Sequence, residues 1–187
     1  GSYIGRTKDV EQRELRMSKS WFMVKKRLRK SKLTKRTQAR VIEGCVESTA
    51  LFDSAVRPWH ASEIHSMQRR LDRCYSYVWR TKNQGPTLMQ LQHKGVNYFK
   101  MREELGIRSI RQKIEKRSLE RLGHVLRMDD SRLTKKVTLG WYPVSKTTNT
   151  RTPTTLMYWK KLVKEMGMDI GDVEYASADR QRWKNAI

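Results

Sequence analysis

Apolar residues recur at intervals of three and four along almost the whole chain, and this spacing constrains the fold most strongly. The stretch 62–80 is a clear case, because Ile64, Met67, Leu71 and Val78 all lie on one side of a helix. No segment has the alternating pattern of a half-buried strand. Helices are therefore predicted at 9–31, 34–56, 62–80, 96–105, 109–127, 131–139, 154–166 and 174–186, and the fold class is all-α.

Breaks between the predicted helices suggest an order of domains. Gly85-Pro86 marks a connection, and a stretch rich in Thr, Pro and Ser marks a loop further on. The predicted regions are a basic helical bundle at 1–80, a connection at 81–95, a helical segment at 96–140, a loop at 141–153 and a helical pair at 154–187.

Positive charge is the second strong feature. The chain has 41 Lys and Arg against 19 Asp and Glu, and 14 of these cations lie in the first forty residues, which hold only three acidic residues. Such an excess destabilises a compact chain unless a polyanion neutralises it, so a phosphate backbone is the favoured partner. A merely solvated basic surface and a membrane-surface helix are the alternatives. Composition does not separate RNA from DNA.

The first predicted helix is expected to bury one stripe, formed by Leu15, Trp21, Val24 and Leu28. Its remaining surface and the segment after it should contact phosphates. The predicted contacts there are Lys25, Lys26, Arg27, Arg29, Lys30, Lys32, Lys35 and Arg36. A second RNA-binding surface is predicted from Arg69, Arg70, Arg73, Arg111, Lys113 and Arg117.

No catalytic centre is predicted. Asp129-Asp130 superficially resembles the paired carboxylates of a polymerase metal site, but the pair follows a helical pattern and is expected to form a turn between helices. No serine-hydrolase, zinc-protease or phosphate-loop motif occurs, and no Cys and His spacing fits a zinc site. No cofactor, metal or small-molecule substrate is therefore expected.

Compartment and membrane association are only loosely constrained. The two cysteines, Cys45 and Cys74, are too few and too far apart for a disulfide framework, which favours a reducing intracellular compartment. No apolar run approaches the roughly 20 residues that span a bilayer, so no membrane partner is expected.

Several local motifs together resemble one family. They are Tyr3-Ile4-Gly5, the basic stretch Leu28 to Arg40, Leu51-Phe52-Asp53-Ser54 with Trp59, the stretch Met67 to Trp79, Arg121 to Met128 (RLGHVLRM), Thr152-Pro153 with Trp159, and Ala178-Asp179-Arg180 with Trp183. In order and spacing they are similar to the thumb and C-terminal region of non-LTR (LINE-type) retrotransposon reverse transcriptases. The RLGHVLRM segment is the most specific. Arg121 stands where the family often has Trp, and Arg151-Thr152-Pro153 stands where it often has Arg-Pro.

The resemblance implies a thumb-like helical bundle followed by a smaller C-terminal helical region. It also implies that polymerase palm, fingers and endonuclease would lie before Tyr3, so the chain is expected to bind RNA without a polymerase active site. His124, inside the RLGHVLRM segment, is expected to be a packing residue beside a closely packed Gly123.

Two hypotheses follow from the resemblance. In the first, the chain is a reverse-transcriptase remnant that serves as a structural subunit of a ribonucleoprotein such as an organellar ribosome. Its partners would then be RNA, possibly ribosomal RNA, and proteins of that assembly, with the mitochondrion as the favoured location. In the second, it is the template–primer-binding thumb of an active element in the nucleus or cytoplasm.

Overall fold

The structure is a computed structural model that describes residues 6–80, 98–139 and 155–187. The helices are α1 (Arg6–Lys30), α2 (Lys35–Ile42), α3 (Ser48–Leu51), α4 (Ala61–Arg80), α5 (Tyr98–Leu105), α6 (Ile110–Leu126), α7 (Leu133–Leu139), α8 (Thr155–Glu165), α9 (Ile170–Ala178) and α10 (Arg180–Ala186). No strand occurs in these three ranges, so the predicted all-α class is confirmed. The predicted connection at 81–95 and loop at 141–153 lie outside the described residues.

The chain forms two compact units. The first unit consists of Gly1–Asp53 and His60–Lys113, and the second consists of Ser54–Trp59 and Ile114–Ile187. Helices α1 to α5 belong to the first unit and α7 to α10 to the second, while the boundary falls within α6.

Helix α1 buries a different stripe from the predicted one. Leu28 is buried as expected, but Leu15 is 47% exposed and Met17 is fully buried in its place. Arg13 is also buried, one turn before Met17. At 3.6 residues per turn, positions 13, 17, 24 and 28 share one face and position 15 points away from it. The prediction for Leu15 was therefore wrong, because Arg13 and Met17 occupy the inner face instead.

The segment Lys35–Leu51 combines two short α-helices with a π-helical turn at Glu43–Glu47 between them. Thr34 caps its beginning, since its hydroxyl accepts a hydrogen bond from the Thr37 N–H at 3.3 Å. Ile42 and Val46 are buried, but Cys45 is exposed. A π turn holds more residues than an α turn, so it changes the register of the buried face at Cys45.

The middle helices bury the predicted residues. Every apolar position predicted for α4 lies in the interior, from Ile64 at 7% exposed to Met67 at 0%. Gly106, with φ +68°, follows the last residue of α5 and ends the helix in a left-handed conformation that favours glycine. Ser109 caps α6 through reciprocal hydrogen bonds with Gln112.

The second unit has an apolar core around two tryptophans. Trp159 and Trp183 are each 1% exposed and pack with Leu122, Val125 and Val173. The C-terminal region has three helices where two were predicted. The predicted helix 174–186 is interrupted at an extended Asp179, whose side chain accepts hydrogen bonds from two backbone N–H groups and starts α10.

Candidate nucleic-acid interface

The outer surface of α1 carries a dense group of exposed cations. Its members in the second half of the helix and just after it are Lys25, Lys26, Arg27, Arg29, Lys30 and Lys32, and all six are exposed. No acidic residue occurs between Leu15 and Lys30. Among the described residues, no carboxylate forms an ion pair with Lys26, Arg29 or Lys30. This surface therefore presents positive charge that the described protein does not neutralise.

The buried side of α1 uses its charges internally. Asp9 and Arg13 are 5% and 4% exposed, and their side chains form an ion pair at 2.8 Å. The Arg13 guanidinium also donates to the carbonyl oxygens of Ala50, at 2.8 Å, and Phe52. Arg13 thus fixes the end of α3 against α1. A buried charge needs this full set of partners.

Lys113 was predicted to contact phosphate, but it is held between two carboxylates. Its ammonium lies 2.5 Å from Glu43 and 2.6 Å from Glu47. The Glu47 carboxylate is only 3% exposed, and it also accepts a hydrogen bond from the Tyr75 hydroxyl at 2.7 Å. Burial and the neighbouring Glu47 raise the pKa of Tyr75 far above its usual value. The Tyr75 hydroxyl therefore keeps its proton and donates it in the hydrogen bond to Glu47. Lys113 is a structural cation of the first unit.

Two other predicted contacts also have protein partners. Arg70 pairs with Glu14 at 3.1 Å and donates to the Ser18 hydroxyl at 2.5 Å, which attaches α4 to α1. The Lys35 ammonium donates to the Trp79 carbonyl at 2.7 Å. Both side chains are half-buried. Both residues, like Lys113, thus have partners within the protein, and their predicted phosphate contacts stay predictions.

Lys25 and Arg36 occupy the margins of the exposed surface. The Lys25 ammonium lies 5.1 Å above the centre of the Tyr77 ring, and that ring packs edge-on against Trp21. The cation–π contact positions Lys25 without cancelling its charge. Arg36 is exposed and makes a long hydrogen bond, 3.5 Å, to the Glu104 carbonyl.

The second predicted surface is only partly assembled. Arg69 and Arg73 are exposed one turn apart on α4. Arg111 is exposed near the start of α6, where it lines a shallow groove of the first unit with Ser62 and His65. Arg117 is exposed but belongs to the second unit.

Three exposed residues of α1 were missed by the sequence-based prediction. Lys19 is exposed, and Phe22 and Met23 are 83% and 72% exposed. A helical projection that places Arg13 and Met17 inward puts these three residues on the outer face with Lys26. The sequence carries this signal, because Lys19, Phe22, Met23 and Lys26 follow helical spacing on the side opposite Leu28.

The acidic pair Asp129-Asp130 forms a turn between α6 and α7, as predicted. The Asp129 carboxylate accepts hydrogen bonds from the Ser131 hydroxyl and backbone N–H, which lower the pKa of Asp129. Asp130 pairs with Lys135 at 2.6 Å. Both carboxylates thus stabilise the local turn.

Histidine and cysteine positions add no chemical site within the described ranges. Gly123 is closely packed, as predicted, but His124 is exposed and is not a packing residue. Cys74 is buried, and burial raises the pKa of its thiol to about 12. In the described part of the chain, no group of three His, Cys, Asp or Glu side chains is placed to hold a metal ion.

Of the helices that the structure describes, none combines the length and apolar character needed to cross a membrane. Comparison with known proteins gave no matching family model, no matching curated protein and no matching solved structure.

Proposed function

We propose that the chain is a non-catalytic RNA-binding protein whose interface is the outer face of α1 and the residues that follow it to Arg36. One observation carries this proposal. Three buried carboxylates of the first unit pair with internal cations, while the cations of α1 from Lys25 to Lys30 remain exposed.

Electrostatics supports a polyanionic partner. The first unit has 25 Lys and Arg against 10 Asp and Glu, an excess of 15. Lys26 and Lys30 are one turn apart on the same helix, where like charges destabilise the helix slightly. Phosphate groups would relieve this repulsion and release their counterions, which drives association.

RNA is proposed over DNA because of the resemblance to the thumb of non-LTR reverse transcriptases. In the proposed role, the chain is a remnant of such an enzyme and a structural subunit of a ribonucleoprotein, with an organellar ribosome as one such assembly. The same cationic face would suit the thumb of an active reverse transcriptase, whose polymerase residues lie elsewhere. No described side-chain cluster favours a reaction of the chain's own.

The salt dependence of RNA binding tests this proposal. Fluorescence anisotropy with a labelled RNA should give an affinity that falls steeply with salt. Lys26→Ala should weaken binding to all RNA sequences alike and reduce the slope of log K against log salt by about 0.7 to 0.9. Lys161→Ala, which removes a 68% exposed cation of the second unit, is the matched control and should change the slope less. An affinity that does not depend on salt would contradict the proposal.

Copurification from native cells separates the two roles. Ribosomal RNA and ribosomal proteins in the purified assembly would support the structural role. A covalently attached or associated polymerase domain would instead support the thumb of an active element.

A further inference from the structure

The outer face of α1 contains large apolar side chains among its cations. Phe22 is 83% exposed, Met23 is 72% exposed and Leu15 is 47% exposed. Burying such residues is favourable, and these three lie on one face of α1. Lys19, Lys26 and Lys30 lie on the same face and are exposed as well.

We infer that this stripe, defined as Leu15, Lys19, Phe22, Met23, Lys26 and Lys30, binds single-stranded RNA, with Phe22 stacking on an unpaired base. The inference rests on the proposed function and specifies the form of RNA that the face recognises. Lys19, Lys26 and Lys30 contact the phosphates on either side of the stacked base. Met23 covers the edge of that base.

The dimensions of the stripe suit a strand of a few nucleotides. At about 1.5 Å per residue, Lys19 and Lys30 lie about 16 Å apart along the helix axis, with Phe22 between them. A polynucleotide that follows this line meets cations before and after the aromatic ring. Base stacking on an aromatic side chain with flanking phosphate contacts is the general mode of single-strand binding.

A double helix does not fit the aromatic residue. Phe22 can stack only on a base whose face is open, and the bases of an RNA duplex are already stacked on their neighbours. The duplex would leave Phe22 and Met23 exposed to water and use only the cations. The apolar members of the stripe therefore favour an unpaired segment.

The distribution of apolar residues on α1 disfavours a membrane as the occupant. A helix that lies on a membrane buries a continuous apolar face. The face of α1 that carries Met17 and Leu28 is already buried inside the first unit, together with the ion-paired Arg13. On the outer face, Phe22 and Met23 point in directions about 100° apart, and Lys26, one turn after Phe22, projects between these two directions.

The test compares the full chain with Phe22→Ala on two probes, a labelled oligoadenylate and an RNA duplex of equal length. Removing the ring should weaken oligoadenylate binding by about 5- to 150-fold, the range for loss of one stacked base. Duplex affinity and the salt slope should not change. Phe22→Tyr should restore oligoadenylate binding, because Tyr offers the same ring face.

Phe52→Ala is the matched control, because Phe52 is an exposed (53%) aromatic residue of the first unit outside the stripe. It should bind both probes as the wild type does. Equal thermal midpoints of the variants and the wild type would show that folding is not the cause of any difference. Lys26→Ala should weaken both probes together.

Three results would overturn the inference. If Phe22→Ala binds oligoadenylate as tightly as the wild type, the stripe does not stack on bases, although salt-dependent binding would leave the proposed function intact. If the wild type binds phosphatidylserine vesicles more tightly than RNA and the variant loses this binding, the occupant is a membrane. If the variant abolishes a concentration-dependent dimer, the occupant is a second copy of the chain.

Discussion

The two units place their ion pairs in different environments. In the first unit, the carboxylates of Asp9, Glu47 and Asp72 are at most 8% exposed and each has a basic partner. In the second unit, the ion pairs of Asp130 and Glu165 are on the surface, with carboxylates 93% and 54% exposed. The interior of the second unit is instead formed by apolar residues around its two tryptophans.

This difference explains which cations remain for a partner. The first unit has an excess of 15 positive charges, and the second has 16 Lys and Arg against 9 Asp and Glu, an excess of 7. Because interior cations take up carboxylates in the first unit, fewer acidic groups are left to neutralise the surface of α1. The same side-chain type therefore stabilises the fold at Lys113 and remains available for binding at Lys26.

The largest expected effect is on the interior ion pair of the first unit. Lys113→Met leaves the 3%-exposed Glu47 carboxylate without its cation. Breaking a buried pair on one side costs about 3–5 kcal/mol, and the remaining Tyr75 hydrogen bond places this case near the lower end. The measurement is the free energy of unfolding in urea.

Lys161→Met is the control for that comparison. It breaks the surface pair with Glu165, whose atoms are 3.6 Å apart, and should cost less than about 0.5 kcal/mol. Equal costs for the two variants would show that the interior of the first unit does not depend on its ion pairs.

Packing around Trp183 should give the next largest effect. A Cβ atom at Gly123 would lie 2.3 Å from Nε1 and 2.4 Å from Cδ1 of the buried Trp183 ring, so Gly123→Ala forces that ring to move. Overpacking of this kind costs about 1–3 kcal/mol. Gly44→Ala, where a Cβ meets nothing within 4 Å, should not destabilise the protein. If both variants lowered the urea midpoint by the same amount, the close packing of Gly123 against Trp183 would be contradicted.

A smaller effect separates the two tryptophans of the second unit. The indole N–H of Trp183 donates to the Leu119 carbonyl at 3.0 Å, whereas that of Trp159 has no acceptor among the described residues. Trp183→Phe should therefore cost about 1 kcal/mol more than Trp159→Phe. Thermal unfolding of both variants would check the order, and a reversed order would show that Trp159 has the more important polar contact.

The smallest effects concern pH, and they should have opposite signs in the two units. Burial raises the pKa of Asp72 above 3.8, so the folded form binds more protons and stability falls as pH rises through this pKa. Backbone N–H groups of Arg182 and Gln181 lower the pKa of the exposed Asp179, so its stabilisation is present above 3.8 and is lost as pH falls.

Asparagine variants test these two trends separately. Asp72→Asn should remove the decline in stability with rising pH, and Asp179→Asn should remove the loss at acidic pH while keeping the helix cap. Urea unfolding from pH 3 to about pH 7 measures both. If both carboxyl groups changed stability with pH in the same direction, burial would not control the pKa of Asp72, or backbone hydrogen bonds would not control that of Asp179.

Much of the fold was predictable because local patterns determine it. The apolar spacing of α4 and the cap at Thr34 involve residues only a few positions apart. The partners of Lys113 lie 66 and 70 residues away in the sequence, and the same sequence spacing fits an exposed Lys equally well. The start of α10 after Asp179 could have been predicted from the sequence, since Asp is a typical residue at the N-cap of a helix.

The candidate interface was predictable as a region but not residue by residue. Exposed Lys and Arg at the end of α1 followed from the density of charge, whereas the inward orientation of Arg13 depends on carbonyl groups at Ala50 and Phe52. These carbonyl groups lie 37 and 39 residues from Arg13 in the sequence, so local spacing does not show that Arg13 points inward. The outward orientation of Phe22 follows from the inward orientation of Arg13.

The most direct test of the central claim is the salt dependence of RNA affinity for the triple variant Lys26→Ala, Arg29→Ala, Lys30→Ala, measured against the wild type. If these exposed cations contact phosphates, the slope of log K against log salt should fall by between about 2 and 3, while the urea midpoint stays the same. An unchanged slope with an unchanged midpoint would show that the outer face of α1 does not bind RNA.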